Sequence, residues 1–470
     1  MSADKKGMFV TDDGKNLVFT FILVSSLFLL WGFCNGMIDV MDKHFQEELG
    51  LTKAQSAWVQ FAHYLGYFLM SVPAGWLASK LGYKAGIITG LLLVAVGGFW
   101  FIPATNINDM VRHGSVSANT AFVAFLAGVC IIATGLTFLE TIANPYTTVL
   151  GDKRFAATRI NLAQSCNGVG WILGPIVGSM YFYSKDAAGR STGSETLYIP
   201  YVGVAIGVIV LAAVFFFASV PDIKTEDDYH LDDSMPGVSH SIWSHPHFVL
   251  AVVAQFLYVA AQAGIFSFFI NYLTSEVPAI PASWNAAMTS LAANSGFLGD
   301  WLHGWFETNK EGVLSISNKG ASNFASLGFV CFLVGRFTGA GLLRRFTAHK
   351  VLGLYGLMNV LITFLVFLKL GWLSVVCVFL SYFFMSIMFP TIFALGIFGL
   401  GLRAKKASAF IVMAIMGGAI LPKLMGWVAD KYDMSRGFIV PMFCFIFVAY
   451  YGFNWSKFSK AESLNSAISH

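Results

Sequence analysis

The chain alternates long apolar segments with short polar ones. Segments long enough to cross about 30 Å of hydrocarbon occur twelve times along it. They lie at about 17–42, 55–79, 84–105, 119–148, 159–183, 198–220, 247–273, 321–343, 349–369, 371–399, 407–430 and 437–457. Each segment predicts one helix, so the pattern indicates an all-α membrane protein with twelve transmembrane helices.

A polar stretch over 221–246 divides these spans into two groups of six. It contains several acidic residues and no long apolar run, which is typical of a linker between structural units. We therefore expect one six-helix half at 1–220 and a second at 247–470, joined by this linker.

The two halves show a weak internal repeat. A shift of 245 positions lays Pro145 over Pro390 and Glu140 over Met385. Parallel six-helix repeats with a substrate site between them are one plan of secondary transporters. Because Glu140 has an apolar counterpart, we expect the ionisable chemistry to belong to the first half.

Basic residues lie in alternate short loops between the spans. These loops contain Lys80 and Lys84, then Lys153, Arg154 and Arg159, then Arg344, Arg345 and Lys350, and finally Arg403, Lys405 and Lys406. By the positive-inside rule such loops face the cytoplasm. The rule also places both termini and the linker on that side, and it predicts a multi-pass protein of the cell (inner) membrane.

An insertion at about 281–318 follows the seventh span. Its apolar residues, among them Trp284, Leu291, Trp301 and Trp305, recur at helical spacing on one side. The segment is too polar to span a bilayer, so we expect an interfacial helix on the outer leaflet. A lid over the substrate entrance is the alternative.

Composition agrees with a membrane protein, since 56% of the residues are hydrophobic and only 11% are charged. The net charge of +4 is small for this length, and the sequence shows no basic surface that would bind nucleic acid. The six cysteines form no C-x-x-C pair, and the chain has no metal-ligand spacing, phosphate-binding loop or nucleophile and base pattern. We therefore expect neither an enzyme nor a cofactor or metal.

An acid lies inside the fourth span. Glu140 follows a long run of mostly apolar residues, and Asn144 lies one turn further along the same face. An ionised carboxylate in hydrocarbon costs about 3 kcal/mol or more, so an embedded acid usually marks an ion or substrate path. Glu140 is therefore the first candidate for a proton-binding group. The alternative is a structural ion pair with Arg336, which also lies within an apolar span.

Two further helices have polar faces. On the first span, Trp31, Asn35 and Asp39 follow at four-residue spacing, which suits a sugar because its hydroxyls need polar partners and its C–H face packs on an aromatic ring. The alternative for Asp39 is a solvated residue near the helix end.

On the fifth span, Asn161, Gln164, Ser165 and Asn167 form a ladder that could bind substrate or join helices. The glycines of 170–178 in the same span either pack helices closely or belong to the glycine and proline motif of drug/proton antiporters.

Seven segments together resemble the fucose-galactose-glucose:proton symporters of the major facilitator superfamily, and among these the L-fucose permeases most. The segments are 31–39, 135–151, 159–164, 254–262, 335–339, 390–397 and 408–420. The resemblance implies the major facilitator fold, with two pseudo-symmetric six-helix halves. It assigns Asp39 and Glu140 to two carboxylates of a central cavity and Asn161 to a polar residue beside them.

The residues and the resemblance together predict a monomeric proton-coupled monosaccharide symporter, with L-fucose as the first choice of sugar. Glucose, galactose or N-acetylglucosamine are alternatives, and a non-translocating sugar sensor or a drug/proton antiporter are alternatives of other classes. The expected partners are a monosaccharide, a proton and the lipid bilayer. The predicted proton-coupling residues are Glu140 and Asp39, and the predicted sugar-binding residues are Asp39, Asn35, Trp31, Asn144, Asn161, Gln164, Gln262 and Phe389.

Overall fold

The computed structural model describes most of the chain. The described residues are 8–10, 14–151, 156–184, 193–220, 241–293, 299, 302–308, 312–343, 345–398, 400 and 404–459. The predicted linker falls almost entirely outside these ranges. Apart from one short hairpin and an isolated β-bridge, the regular structure of the described residues is helical.

The helices are numbered in chain order. They are α1 (Val18–Glu48), α2 (Lys53–Ser56), α3 (Trp58–Arg112), α4 (Ala118–Val149), α5 (Ala156–Phe182), α6 (Gly193–Thr196), α7 (Tyr198–Phe217), α8 (Pro246–Ser267), α9 (Phe269–Ser275), α10 (Ala282–Ala293), α11 (Asn318–Leu343), α12 (Ala348–Phe367), α13 (Trp372–Met385), α14 (Met388–Ile397), α15 (Ala404–Met413), α16 (Gly417–Lys431), α17 (Met434–Gly437) and α18 (Ile439–Ser459). Short 3-10 turns lie at Ile242–Ser244 and Ala414–Met416.

The predicted all-α membrane fold is confirmed. Among the described residues, 10 helices are long and apolar enough to cross a membrane. The predicted spans at 55–79 and 159–183 are also helical, as the first part of α3 and as α5. Helix α3 consists of two helical segments, one for each of two predicted spans, which meet at a kink at Gly82. The backbone there has a φ of 81°, a conformation that glycine adopts easily because it has no Cβ.

Several predicted spans are interrupted where a single helix was expected. The seventh span breaks at Phe268 between α8 and α9. The tenth breaks between α13 and α14, and the eleventh contains a 3-10 turn between α15 and α16. Pro390 lies in the first turn of α14, where the missing N–H of a proline leaves no helical hydrogen bond unmade. The apolar pattern does not reveal these breaks because both sides of each remain apolar.

The described residues form two compact units. The first contains those up to Met37, then Ala62–Gly174, then those from Leu197 to the end of α7. The second contains Ile38–Phe61, the described part of Pro175–Thr196, and everything described from 241 onward. The units therefore divide the chain differently from the expected boundary at 221–246, and the six-plus-six division remains a prediction. Within the second unit, α8 packs against α14, α16 and α18.

The insertion after the seventh span contains helix α10 and a hairpin. Most side chains of α10 are exposed, and the Trp284 ring lies 5.3 Å from that of Trp372. Strands β1 (Phe306–Thr308) and β2 (Leu314–Ile316) pair antiparallel, with Phe306 opposite Ile316. Sequence analysis missed this hairpin because its strands are too short to show alternation. Trp301 lies outside the described residues, and the interfacial position of the segment remains a prediction.

Candidate functional site

The polar face predicted on α1 meets a tyrosine of α3 in the first unit. The Trp31 indole Nε1 donates a hydrogen bond to the Tyr67 hydroxyl. Asn35, one turn along α1, faces the Tyr67 side chain, and its own Oδ1 is buried without a partner. Tyr67 therefore joins the aromatic and the amide members of the predicted sugar-binding face.

Glu140 of α4 belongs to the same cluster, because it interacts electrostatically with Tyr67. The Tyr67 side chain is largely buried and Glu140 is partly buried. The first unit thus brings together Trp31, Asn35 and Glu140, which sequence analysis predicted on two different helices. The side chains of Asn144 and Pro145 lie outside what the structure describes.

Sequence analysis missed the contribution of α3. Gln60, His63, Tyr64 and Tyr67 follow at spacings of three, one and three, which places them along one face of that helix. His63 is buried, its Nδ1 has no hydrogen-bond partner, and its ring lies 5.0 Å from the Tyr67 ring. The signal in the sequence was a stripe of polar residues at helical spacing within an otherwise apolar span, and it would have identified these residues.

Helix α5 contacts α1 through glycines. A Cβ added at Gly170 would lie 2.2 Å from the Leu29 carbonyl oxygen, and one added at Gly174 would lie 2.7 Å from that of Phe33. The close packing predicted for these glycines is confirmed, since only residues without side chains allow the two backbones this near.

The polar ladder of α5 is partly structural. Asn167 is buried, and its Nδ2 donates a 3.3 Å hydrogen bond to the Phe28 carbonyl oxygen of α1. Gln164 is partly buried on the same helix. The side chain of Asn161 lies outside what the structure describes, so its predicted role stays a prediction.

Asp39 lies in the second unit beside another acid. The Gln60 amide Nε2 donates to Asp39 Oδ1 at 2.8 Å and, more weakly, to Asp42 Oδ2 at 3.4 Å. Both acids are buried, with Asp39 6% exposed and Asp42 fully enclosed. The idea that Asp39 is a solvated helix-end residue is therefore wrong, because α1 continues to Glu48 and the neighbouring helices cover this turn.

A second polar cluster of this unit centres on Tyr258 of α8. The Tyr258 hydroxyl donates to the Met385 carbonyl oxygen at 2.9 Å, and its ring lies 6.5 Å from that of Phe389. Gln255 and Gln262 precede and follow Tyr258 on the same helix face, and both polar atoms of the buried Gln255 amide lack partners. Of the predicted sugar contacts, Gln262 therefore lies on the same helix as Tyr258, and Phe389 lies on α14 with its ring near that of Tyr258.

Arg336 of α11 is associated with the same tyrosine. Its guanidinium interacts electrostatically with Tyr258 and lies 5.1 Å from the centre of the Phe332 ring. The Nε atom is buried without a hydrogen-bond partner. The pairing of Arg336 with Glu140 that the sequence left open remains a hypothesis.

No group of three or more histidine, cysteine or acidic side chains that could hold a metal occurs in the part of the chain that the structure describes. The cysteines are unpaired, and several lie within the apolar helices.

Acids inside apolar helices of membrane-spanning length usually mark an ion or substrate path, and such sites are typical of secondary transporters. The chain belongs to the Major Facilitator Superfamily, whose family model matches residues 20–395. Members of this superfamily are transporters, so the expectation that the protein is not an enzyme is confirmed.

Similarity to individual relatives shows which group within the superfamily the chain resembles. It is 32% identical to the L-fucose-proton symporter of Escherichia coli (strain K12), over 96% of this chain and 95% of that one. It is 30% identical to the glucose/galactose transporter of Brucella abortus biovar 1 (strain 9-941), over 95% and 96%. The predicted resemblance to this group of sugar symporters is confirmed.

A solved structure agrees with these relatives. The crystal structure of an asparagine-to-alanine variant of the E. coli fucose:proton symporter is 32% identical and superposes with a TM-score of 0.63. The match covers 94% of this chain and 100% of that one. The major facilitator fold predicted from the sequence is therefore confirmed.

Proposed function

We propose that the protein is a proton-coupled monosaccharide symporter that works by alternating access, with L-fucose as the first choice of sugar. The observation that carries the proposal is the Tyr67 side chain, which accepts a hydrogen bond from Trp31, faces Asn35 and interacts electrostatically with the partly buried acid Glu140. A group able to carry a proton and a face suited to a sugar thus both adjoin one tyrosine. The similarity to an L-fucose-proton symporter and to a glucose/galactose transporter supports the same function.

Glu140 couples the proton to the sugar through the cost of burying a charge. An ionised carboxylate resists a closed, dry state, whereas the protonated acid is neutral and can donate a hydrogen bond. Binding of a proton therefore permits the loaded transporter to close. The proton leaves when the site opens on the other side, and the charge then left on Glu140 opposes closure around the sugar alone.

The sugar contacts follow from the two polar clusters. Trp31 and Phe389 pack against C–H faces of the ring, while Asn35 and Gln262 exchange hydrogen bonds with its hydroxyls. Asp39, Asn144, Asn161 and Gln164 complete the proposed polar lining. Asp39 takes part in proton coupling as well, together with Glu140.

Glu140→Gln tests the proposal in proteoliposomes. The amide keeps the size and polarity of the side chain but binds no proton, so sugar accumulation driven by a pH gradient is expected to fall at least about 100-fold, to the level of passive equilibration. Glu47→Gln, an exposed acid paired with Lys43 on α1, is the matched control and should accumulate sugar normally. Uphill accumulation at the normal rate in Glu140→Gln would contradict the role of Glu140.

Simultaneous measurement of sugar and proton movement separates the function classes. A symporter takes up labelled sugar and alkalinises the external medium together. A sensor that binds without translocation gives neither signal. A drug/proton antiporter alkalinises the side from which it takes protons, but it takes up no labelled sugar. Uptake with no accompanying proton movement would overturn the proposed coupling.

A competition screen tests the sugar. Unlabelled L-fucose, D-glucose, D-galactose and N-acetylglucosamine are added against a labelled sugar, and L-fucose is expected to inhibit at the lowest concentration. A site that hydrogen-bonds a particular hydroxyl can reject an epimer strongly because its own polar groups are then left unpaired. Stronger inhibition by glucose or galactose would show that one of those sugars, and not L-fucose, is the preferred substrate. The proposed symport mechanism would be unaffected.

A further inference from the structure

Two buried carboxylates of α1 share one amide donor. Gln60 Nε2 donates to Asp39 Oδ1 at 2.8 Å and to Asp42 Oδ2 at 3.4 Å. Because Asp39 and Asp42 are three residues apart on one helix, their side chains lie on the same face. The amide therefore bridges the two acids and satisfies one oxygen of each.

The other oxygen of each acid has no partner. Asp39 Oδ2 and Asp42 Oδ1 are both buried and form no hydrogen bond. The Ser267 hydroxyl at the end of α8 faces both carboxylates and is itself without a hydrogen-bond partner of good geometry. Unpartnered carboxylate oxygens are costly in an enclosed site, so these atoms point to something that binds between them.

The remaining groups around the pair are neutral phenols or lie further along α1. Tyr382 of α13 interacts electrostatically with Asp39, and Tyr183, just after α5, interacts with Asp42. On α1 itself, Lys43 is engaged by Glu47 at 3.5 Å, and the His44 ring lies against Phe182 and Tyr183.

Two like charges this close and this enclosed do not both persist. Two carboxylates that share a buried site retain one proton between them, because loss of the second proton would place two negative charges side by side in a low dielectric. The neutral acid of the pair then carries an O–H group, which can donate a hydrogen bond where an ionised carboxylate only accepts. Gln60 donates to one oxygen of each acid, and the Ser267 hydroxyl faces both carboxylates and can donate to an oxygen that remains ionised.

We propose that Asp42 is a second member of the proton-coupling site, and that Asp39 and Asp42 together bind a single proton, which Gln60 and Ser267 orient. The proton adds to a carboxylate oxygen of the pair and leaves to water when the site opens. This inference rests on the proposed symport function. It gives Asp42, which the sequence pattern did not single out, a defined part in the transport cycle.

Asp42→Asn tests the proposal through the pH dependence of uptake. The variant, the wild type and Glu47→Gln are reconstituted in proteoliposomes, and the initial rate of labelled L-fucose uptake is measured from pH 5 to 9. Removal of the neighbouring negative charge lowers the proton affinity of Asp39, so half-maximal uptake is expected to move to more acidic pH by about one unit or more. Glu47→Gln should match the wild type. Asp42→Glu, which restores an acid, should return the midpoint towards the wild-type value.

Gln60→Leu gives an independent measurement that does not depend on Asp42→Asn folding. It keeps both acids but removes their shared donor, so the pair holds its proton more tightly and the midpoint is expected to move to more alkaline pH. Monodisperse elution in detergent shows which variants fold.

Each outcome has one meaning. An unshifted midpoint in folded Asp42→Asn, with wild-type symport intact, overturns this proposal alone. If the wild type shows no uptake driven by a pH gradient, or responds to a sodium gradient instead, the proposed function itself is wrong, and the inference about Asp42 is wrong with it.

Discussion

At the scale of single residues, two tyrosines, Tyr67 and Tyr258, each lie at the centre of a cluster of polar side chains. Tyr67 accepts a hydrogen bond from the Trp31 indole, faces Asn35 and interacts electrostatically with Glu140. Tyr258 donates to the Met385 carbonyl oxygen and interacts with Arg336. A phenol suits this position because its ring packs among apolar side chains while its hydroxyl both donates and accepts. The hydroxyl of Tyr67 therefore connects groups that approach it from different helices.

Tyr67→Phe removes that connection and little else. The Trp31 Nε1 loses its acceptor and Asn35 loses a partner, and a buried polar group left unpaired costs about 1–3 kcal/mol. We expect sugar affinity to fall about tenfold or more, measured as binding of labelled sugar to the purified protein in detergent. Tyr450→Phe, at an exposed position of α18, is the matched control. Unchanged affinity in Tyr67→Phe would exclude Tyr67 from the binding site.

At the scale of elements, the short helix α2 is held by α16 within the second unit. The Asp430 carboxylate accepts from the backbone N–H groups of Lys53 and Ala54 at 3.0 and 2.9 Å, and the Lys53 Nζ lies 3.9 Å from the same carboxylate. An acid at a helix N-terminus satisfies donors that have no partner inside the helix. The contact joins segments from opposite ends of the sequence, so we expect it to form and break during the transport cycle.

Gly426 permits this contact. A Cβ added there would lie 2.9 Å from the Ala54 backbone nitrogen, so a larger side chain forces α2 and α16 apart. We expect Gly426→Leu to expose Ser56, which is fully buried. In a chain whose native cysteines are replaced by serine, Ser56→Cys should react with a maleimide several-fold faster when Gly426→Leu is also present.

Gly203→Leu is the control for that measurement, because a Cβ at Gly203 meets open space. It should leave the labelling of Ser56→Cys unchanged. Equal labelling rates with and without Gly426→Leu would mean that the two helices tolerate the side chain, and that the glycine does not govern their contact.

At the scale of the whole molecule, the number of crossings fixes the position of the termini. The predicted twelve spans form an even number, so we expect both termini on one side of the membrane, and the basic loops predict the cytoplasmic side. A C-terminal alkaline phosphatase fusion should therefore be inactive, whereas a fusion after Ala293, in the insertion, should be active. An active C-terminal fusion would contradict the predicted orientation.

The sequence by itself determined what depends on local pattern. Apolar length predicted the spans because lipid demands continuous helices of a fixed length. The cost of a charge in hydrocarbon singled out Glu140, and four-residue spacing placed Trp31, Asn35 and Asp39 on one face. Each of these inferences needs one helix at a time, which is why they were available before the structure.

The tertiary structure decided which faces meet. Tyr67, Gln60 and Asp42 were overlooked because phenols, amides and helix-end acids are common, and only their neighbours give them a role. The structure also separated Asn167, which joins two helices, from the other members of its ladder. Spacing shows that side chains share a face, but it does not show what that face touches, because contacts between helices depend on packing among residues far apart in the chain.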